Sequence, residues 1–228
     1  MKKLFFGVFL VSVIFILGCK PYYLATGFDS KTVDHKTVAI LPFEIIFTGK
    51  IPEELSPEEI VSIEEAEAMA FQMSFFQEVL NSTRGGKKQI RVDLQHYYKT
   101  NEILVGEDIR IHDSWQRSPE DLAGILGVDA VIRARIVKTR FMSDLTSFGI
   151  DVGLSIVNAI SNYSFSPFLP GMVKSKEIDT EYSLFDKSDG TTLWSITFGA
   201  DADWRSPANE IIDDINRRAA KKFPYRIK

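Results

Sequence analysis

The only cysteine of this 228-residue chain, Cys19, stands at the end of an apolar run. Lys2 and Lys3 supply two positive charges, and Leu4 to Leu17 then contains only Gly7 and Ser12 as breaks. A membrane-spanning helix needs about 20 apolar residues, so this run is too short to cross comfortably. A basic start followed by a run of this length reads instead as a secretory signal. A single cysteine excludes a disulfide framework and a structural zinc site, so whatever follows must be held by its own core. At 45% hydrophobic and 25% charged residues, the composition suits one globular domain. It excludes a mainly disordered, collagen-like or polytopic membrane chain. The formal charge of -4 gives no sign of nucleic-acid binding.

Ile16-Leu17-Gly18-Cys19 resembles the lipobox of bacterial lipoproteins. The resemblance implies a diacylglycerylated Cys19 thiol, cleavage before Cys19, and acylation of the new amino group, as with palmitate. One acyl chain holds a protein to a bilayer marginally, whereas two or three hold it firmly. The plainer alternative is an uncleaved N-terminal anchor with an incidental cysteine. The expected division is a signal peptide at 1–18, the lipidated cysteine and a flexible tether at 19–36, and a domain at 37–228. Loss of residues 1–18 removes Lys2 and Lys3 and no acid, so the mature chain is more acidic and the lipid must do the anchoring. Lys20 follows the cysteine where an aspartate is linked in enteric bacteria to inner-membrane retention. The expected location is therefore the outer membrane, periplasmic face, with surface exposure left open. Residues 20–36 show no periodicity, and fully extended they would reach roughly 55–60 Å.

Thr37 to Ile46 is a nearly continuous apolar run and predicts a buried strand with a break at Pro42, which lacks a ladder donor. Ser56-Pro57-Glu58-Glu59 predicts a capped helix start with a capping box. Ile63, Ala66, Met69, Met73, Phe76 and Leu80 form one apolar stripe of that helix. Val61, Ala68, Phe71, Phe75 and Val79 form a second, so the helix is expected to be covered on more than one side. Further on, the pattern predicts a short strand at 89–94, helices at 96–105 and from Ser118, and a strand at 129–140. A hairpin follows at 181–198 across Lys187-Ser188-Asp189-Gly190, then a last helix from Ser206. This order fits a single α/β domain with a mixed β-sheet packed with helices.

Three segments carry a family resemblance: Val38 to Phe43, Leu126 to Ile132, and Leu184 to Trp194. Together they resemble the α/β domain shared by the TolB N-terminal domain, the curli-secretion lipoproteins and the penicillin-binding-protein activator lipoproteins. The set looks like a Bacteroidetes-like group of bacterial lipoproteins and covers about 37–224, except 141–173. The resemblance implies a sheet-and-helix fold used for contacts with other envelope proteins. It implies no catalytic residue and no single function.

The segment 141–173 is the expected insertion. Residues 148–172 hold Asp151 as their only charge. Leu145, Phe148, Val152, Ile156 and Ile160 keep helical spacing, and Gly149 with Gly153 forms a Gly-x-x-x-Gly pair. Pro167 and Pro170 follow, among Phe165, Phe168 and Leu169. Three readings stay open: a helix packed on the domain, a partner or self-association surface, and a membrane-inserting element. The candidate interaction surface is Phe148, Val152, Ile156, Phe165, Phe168 and Leu169.

The chemistry-bearing residues form no familiar constellation. His35, His96 and His112 lie in no zinc spacing, so no metal or cofactor site is expected. Glu64, Glu65 and Glu67 read as a solvated helix face. Arg133, Arg135, Lys138 and Arg140 read as a basic strip that pairs with acids of a neighbouring strand such as Glu181, or else with an acidic partner. The expected function is that of a lipid-anchored, non-catalytic protein-binding module or adaptor, with other envelope proteins as partners and no nucleic acid. The alternative is an oligomeric outer-membrane assembly or secretion-pore component, which would make a homo-oligomer.

Overall fold

Pro42 divides the first long apolar run, and that division lets one central strand hold two parallel neighbours on the same edge. Strand β2 (Thr37–Ile40) ends before the proline and β3 (Glu44–Phe47) begins after it. The long strand β5 (Ala130–Lys138) pairs with β2 through Ala130–Ile132 and with β3 through Arg135–Lys138. At the break, Leu41 N–H still donates to the Ile132 carbonyl at 2.9 Å, while Phe43 N–H turns to the Ala68 carbonyl at 3.4 Å. The Phe43 ring enters an aromatic group with Phe71, Phe75 and Tyr182, at centroid distances of 5.5–6.0 Å.

The structure is a computed structural model. It describes residues 22–84, 89–142, 145, 148–150 and 177–227. In chain order the remaining elements are β1 (Tyr23–Leu24), α1 (Phe28–Lys31), α2 (Pro57–Asn81), β4 (Asp93–Leu94), α3 (Tyr97–Gly106), α4 (Ile111–Ser114) and α5 (Pro119–Leu126). After β5 come β6 (Ile178–Asp186), β7 (Thr192–Ala200) and α6 (Ala208–Ala220). The fold is α/β, with one mixed seven-stranded sheet ordered β1-β7-β6-β5-β2-β4 and β3 beside β5.

Local chemistry explains the helix boundaries. Ser56 and Glu59 exchange the two hydrogen bonds of a capping box, and Pro57 occupies the first turn, where its missing N–H has no cost. Ser118 caps α5, and Gly127 ends it at φ 66, a left-handed angle that a side chain disfavours.

Helices α2 and α6 cover one face of the sheet. Ala130, Ile132, Ala134 and Ile136 alternate onto that face, where they join Tyr182, Leu184, Trp194, Phe71, Ile212 and Ile215 in the main core. Both predicted stripes of α2 are used, since Phe71, Phe75, Phe76 and Val79 are all buried, though Val61 and Leu80 stay exposed. A smaller core of Ala39, Leu41, Leu104, Leu122, Leu126 and Val131 lies under α3 and α5 on the opposite face.

Residues 22–36 are the described part of the expected tether, and they are folded onto the domain. β1 pairs antiparallel with β7, Tyr23 opposite Ser195 and Leu24 opposite Trp194. Ala25 N–H donates to the Leu193 carbonyl at 2.9 Å, and Phe28 is buried against Tyr225 at 5.4 Å. A two-residue strand has no periodicity to read, so sequence pattern alone missed it. Cys19 and residues 85–88 lie outside the described residues.

Candidate interaction surfaces

At the end of β5 the chain leaves the sheet, and it returns beside the point of departure, because Lys138 pairs in register with Ile178 of β6. Residues 139–177 are therefore an excursion with adjacent ends. The departing end is held by a buried ion pair. Lys138 Nζ lies 2.6 Å from Glu67 Oε2 on α2, and both side chains are 0% exposed. Each partner grips the departing backbone: Lys138 donates to the Arg140 carbonyl at 2.7 Å, and Met142 N–H donates to Glu67 Oε1 at 2.6 Å. Lys138 also lies 5.2 Å from the Phe141 ring centroid, and Phe141 stacks on Phe47 at 3.9 Å. At the returning end Trp204 Nε1–H donates to Glu177, and Arg140 lies over the Trp204 ring.

Burial sets the electrostatics of this pair. It pushes the Glu67 carboxyl above its ordinary range and the Lys138 ammonium below its own, and in each the attraction of the partner opposes the shift without cancelling it. Burial also raises the Glu64 carboxyl one turn away, against the pull of His112.

Two sequence expectations change here. Glu67 is not on a solvated face. It follows Ile63 by four residues and precedes Phe71 by four, and that spacing is the signal that places it inward. The four basic residues form no single strip either. Strand alternation puts Lys138 on the apolar face with Ile136, away from Arg133 and Arg135. Arg133 donates to the backbone carbonyls of Ser114 and Arg117, and Arg135 pairs with Glu44 of β3 at 2.7 Å rather than with Glu181.

Arg133 and Arg135 nonetheless mark a second surface. The register sets Tyr23, Ser195, Ser183 and Arg133 in one row across four strands, and Thr197, Glu181, Arg135 and Glu44 in the next. These residues share the sheet face that α3 and α5 cover only at its other end. Among the described residues no apolar cluster forms over them. The result is a mostly polar sheet face with charges of both signs, open at Arg135, Glu181 and Thr197, whereas Ser183 on it is buried.

Of the residues read as an interaction surface, Phe148 is half-buried against the main core. Leu145 before it is buried, and Gly149 after it adopts φ 74, a left-handed angle. Val152, Ile156, Phe165, Phe168 and Leu169 lie outside the described residues.

The histidines are dispersed. His35 lies 2.6 Å from the Tyr225 hydroxyl and 3.4 Å from Asp186, His96 caps α3, and His112 lies against Trp115. Among the described residues no group of three or more His, Cys, Asp or Glu side chains is placed to hold a metal, and no helix is long and apolar enough to cross a membrane.

No family model and no curated protein matches the chain. Several solved structures share a distant likeness. Lipoprotein GNA1162 from Neisseria meningitidis matches at a TM-score of 0.44 and 10% identity, over 82% of this chain and 96% of that one. The LpoB C-terminal domain from Salmonella enterica matches at 0.37 and 10% identity, over 76% and 92%. The PelC dodecamer from Paraburkholderia phytofirmans matches at 0.35 and 12% identity, over 82% and 86%. Nothing about this chain's function follows from likenesses this distant.

Proposed function

We propose that the chain is a lipid-anchored protein of the bacterial cell envelope that works by holding another envelope protein rather than by catalysis. Cys19 carries the anchor, and the outer membrane, periplasmic face, is its location. The observation that supports the binding role is the construction at the base of the 139–177 excursion. A buried Lys138–Glu67 pair at one end and the Trp204–Glu177 contact at the other fix where a segment with few charges meets the domain. Holding both ends in register is useful where the segment must be presented in one place.

The test uses lipidated full-length protein extracted in mild detergent. Its molar mass is measured by light scattering, and its partners are captured by cross-linking before extraction. The expected result is a mass of one or two chains, with a discrete partner cross-link that disappears when 151–173 is replaced by a short Gly-Ser bridge. A discrete mass of many chains that the same replacement abolishes would overturn the adaptor reading in favour of an assembly or pore component. Turnover of a substrate that survives delipidation would overturn it in favour of an enzyme.

A further inference from the structure

The point at which the chain becomes part of the fold determines how far the domain can stand from its anchor. Tyr22 is half-buried against the main core, Tyr23 and Leu24 pair with β7, and Ala25 and Phe28 are buried. Only Lys20 and Pro21 separate Cys19 from Tyr22. Fully extended, that step covers about 10–11 Å. The polar layer of a bilayer leaflet is itself about 5–7 Å thick. A lipidated Cys19 therefore holds β1 within reach of the headgroups, in place of the long stand-off that an unstructured 20–36 would allow.

We propose that the β1 edge of the sheet rests on the phospholipid headgroups of the leaflet that holds the acyl chains of Cys19, with Tyr23 and Leu24 as the contacting side chains. This rests on the anchoring role given to Cys19 above. The residues suit the place. Tyr23 is 55% exposed and Leu24 38% exposed, and both are uncharged. A tyrosine with an apolar ring and a polar tip favours the membrane–water boundary. β1 is a terminal strand of the sheet order, so among the described residues nothing pairs with its outer side. An open strand edge invites pairing with another chain, and a membrane surface against it removes that route. The mature chain is acidic, so the contact draws on the anchor and on apolar area rather than on anionic lipid. The β4 edge lies five strand spacings away, about 24 Å farther along the sheet.

The test uses full-length, lipidated protein in phosphatidylethanolamine–phosphatidylcholine vesicles that contain headgroup-attached spin-label lipids. Acylation blocks Cys19, so a thiol introduced by Tyr23→Cys or by Val105→Cys is the only one a fluorophore can take. Val105 is 76% exposed on α3, which packs beside β2 toward the far edge. The expected result is several-fold stronger quenching at position 23 than at position 105. Ten Gly-Ser residues inserted between Lys20 and Pro21, ahead of the described residues, are expected to abolish that difference. Equal quenching in a protein whose mass includes the acyl groups would overturn this proposal alone. A protein without the acyl mass would overturn it together with the anchoring role.

Discussion

Arg135 and Lys138 stand three residues apart on β5, and each meets a glutamate at nearly the same distance, 2.7 Å to Glu44 and 2.6 Å to Glu67. Everything else about the two pairs differs. Arg135 is 52% exposed and Glu44 15% exposed, on the open sheet face, whereas Lys138 and Glu67 are fully enclosed. In water-rich surroundings two opposite charges attract weakly and lose little hydration when they meet. In the interior both the attraction and the hydration lost are several times larger. The directions of the shifts follow. Hydrogen bonding to Glu44, then its charge, raises the Arg135 guanidinium, while burial dominates its counterpart and lowers the Lys138 ammonium. Separation therefore says little about what an ion pair contributes. What surrounds it, and which backbone groups it also holds, decide that.

The sharpest way to break this contrast is to remove one buried partner. Lys138→Ala leaves Glu67 enclosed without its counter-charge. Breaking a buried pair in this way costs about 3–5 kcal/mol. The urea midpoint at neutral pH is expected to fall accordingly. A loss below about 1 kcal/mol would put the buried pair in the class of the exposed one.

Removing both charges tests whether the pair or the hydrogen bond matters. With Lys138→Met and Glu67→Gln, the glutamine Oε1 can still accept from Met142 N–H, and the methionine fills the volume of the lysine stem. The double variant is expected to be more stable than Lys138→Ala, with a coupling of about 1–3 kcal/mol between the two sites. Simple additivity of the two single changes would refute a direct interaction.

Much of this frame was legible in the sequence. Alternation of Ala130, Ile132, Ala134 and Ile136 identified the apolar face of β5. Ser56 and Glu59 announced the start of α2, and Pro42 announced the break between β2 and β3. Each is a local signal spanning a few residues. Lys138 and Glu67 were harder for a physical reason. Periodicity assigns each to an inward row, but their meeting joins residues far apart in the chain, and no local pattern encodes it. The folding of Tyr23–Leu24 onto β7 was hidden because two residues carry no period. Of the candidate surface, only Phe148 falls among the described residues.

The pH dependence of Lys138→Ala offers a finer comparison. Burial already holds the Glu67 carboxyl above 4.5 in the folded chain, and loss of the lysine pushes it higher. Between the unfolded and folded values the folded chain keeps a proton that the unfolded chain has lost, so stability falls as pH rises through that window. The variant has the wider window. Its deficit relative to the parent is therefore expected to be smallest near pH 4.5 and to grow toward neutrality, by about 1.4 kcal/mol for each unit of added shift. Paired urea titrations from pH 4.5 to 7 measure it. A deficit that does not change with pH would mean that Glu67 stays charged without Lys138.

The smallest effect belongs to Arg135→Ala. The pair it breaks is partly solvated, so the expected loss is under about 1 kcal/mol, and added salt should shrink it further by screening the attraction in the parent. Urea midpoints at low and high ionic strength suffice. A loss as large as that of Lys138→Ala would mean that water does not reach this face, and that something outside the described residues covers Arg135. If instead stability is kept while the partner cross-link weakens, the open face of Arg135, Glu181 and Thr197 would be part of the contact. The exposed pair would then serve recognition, and the buried pair would hold the excursion in register beside it.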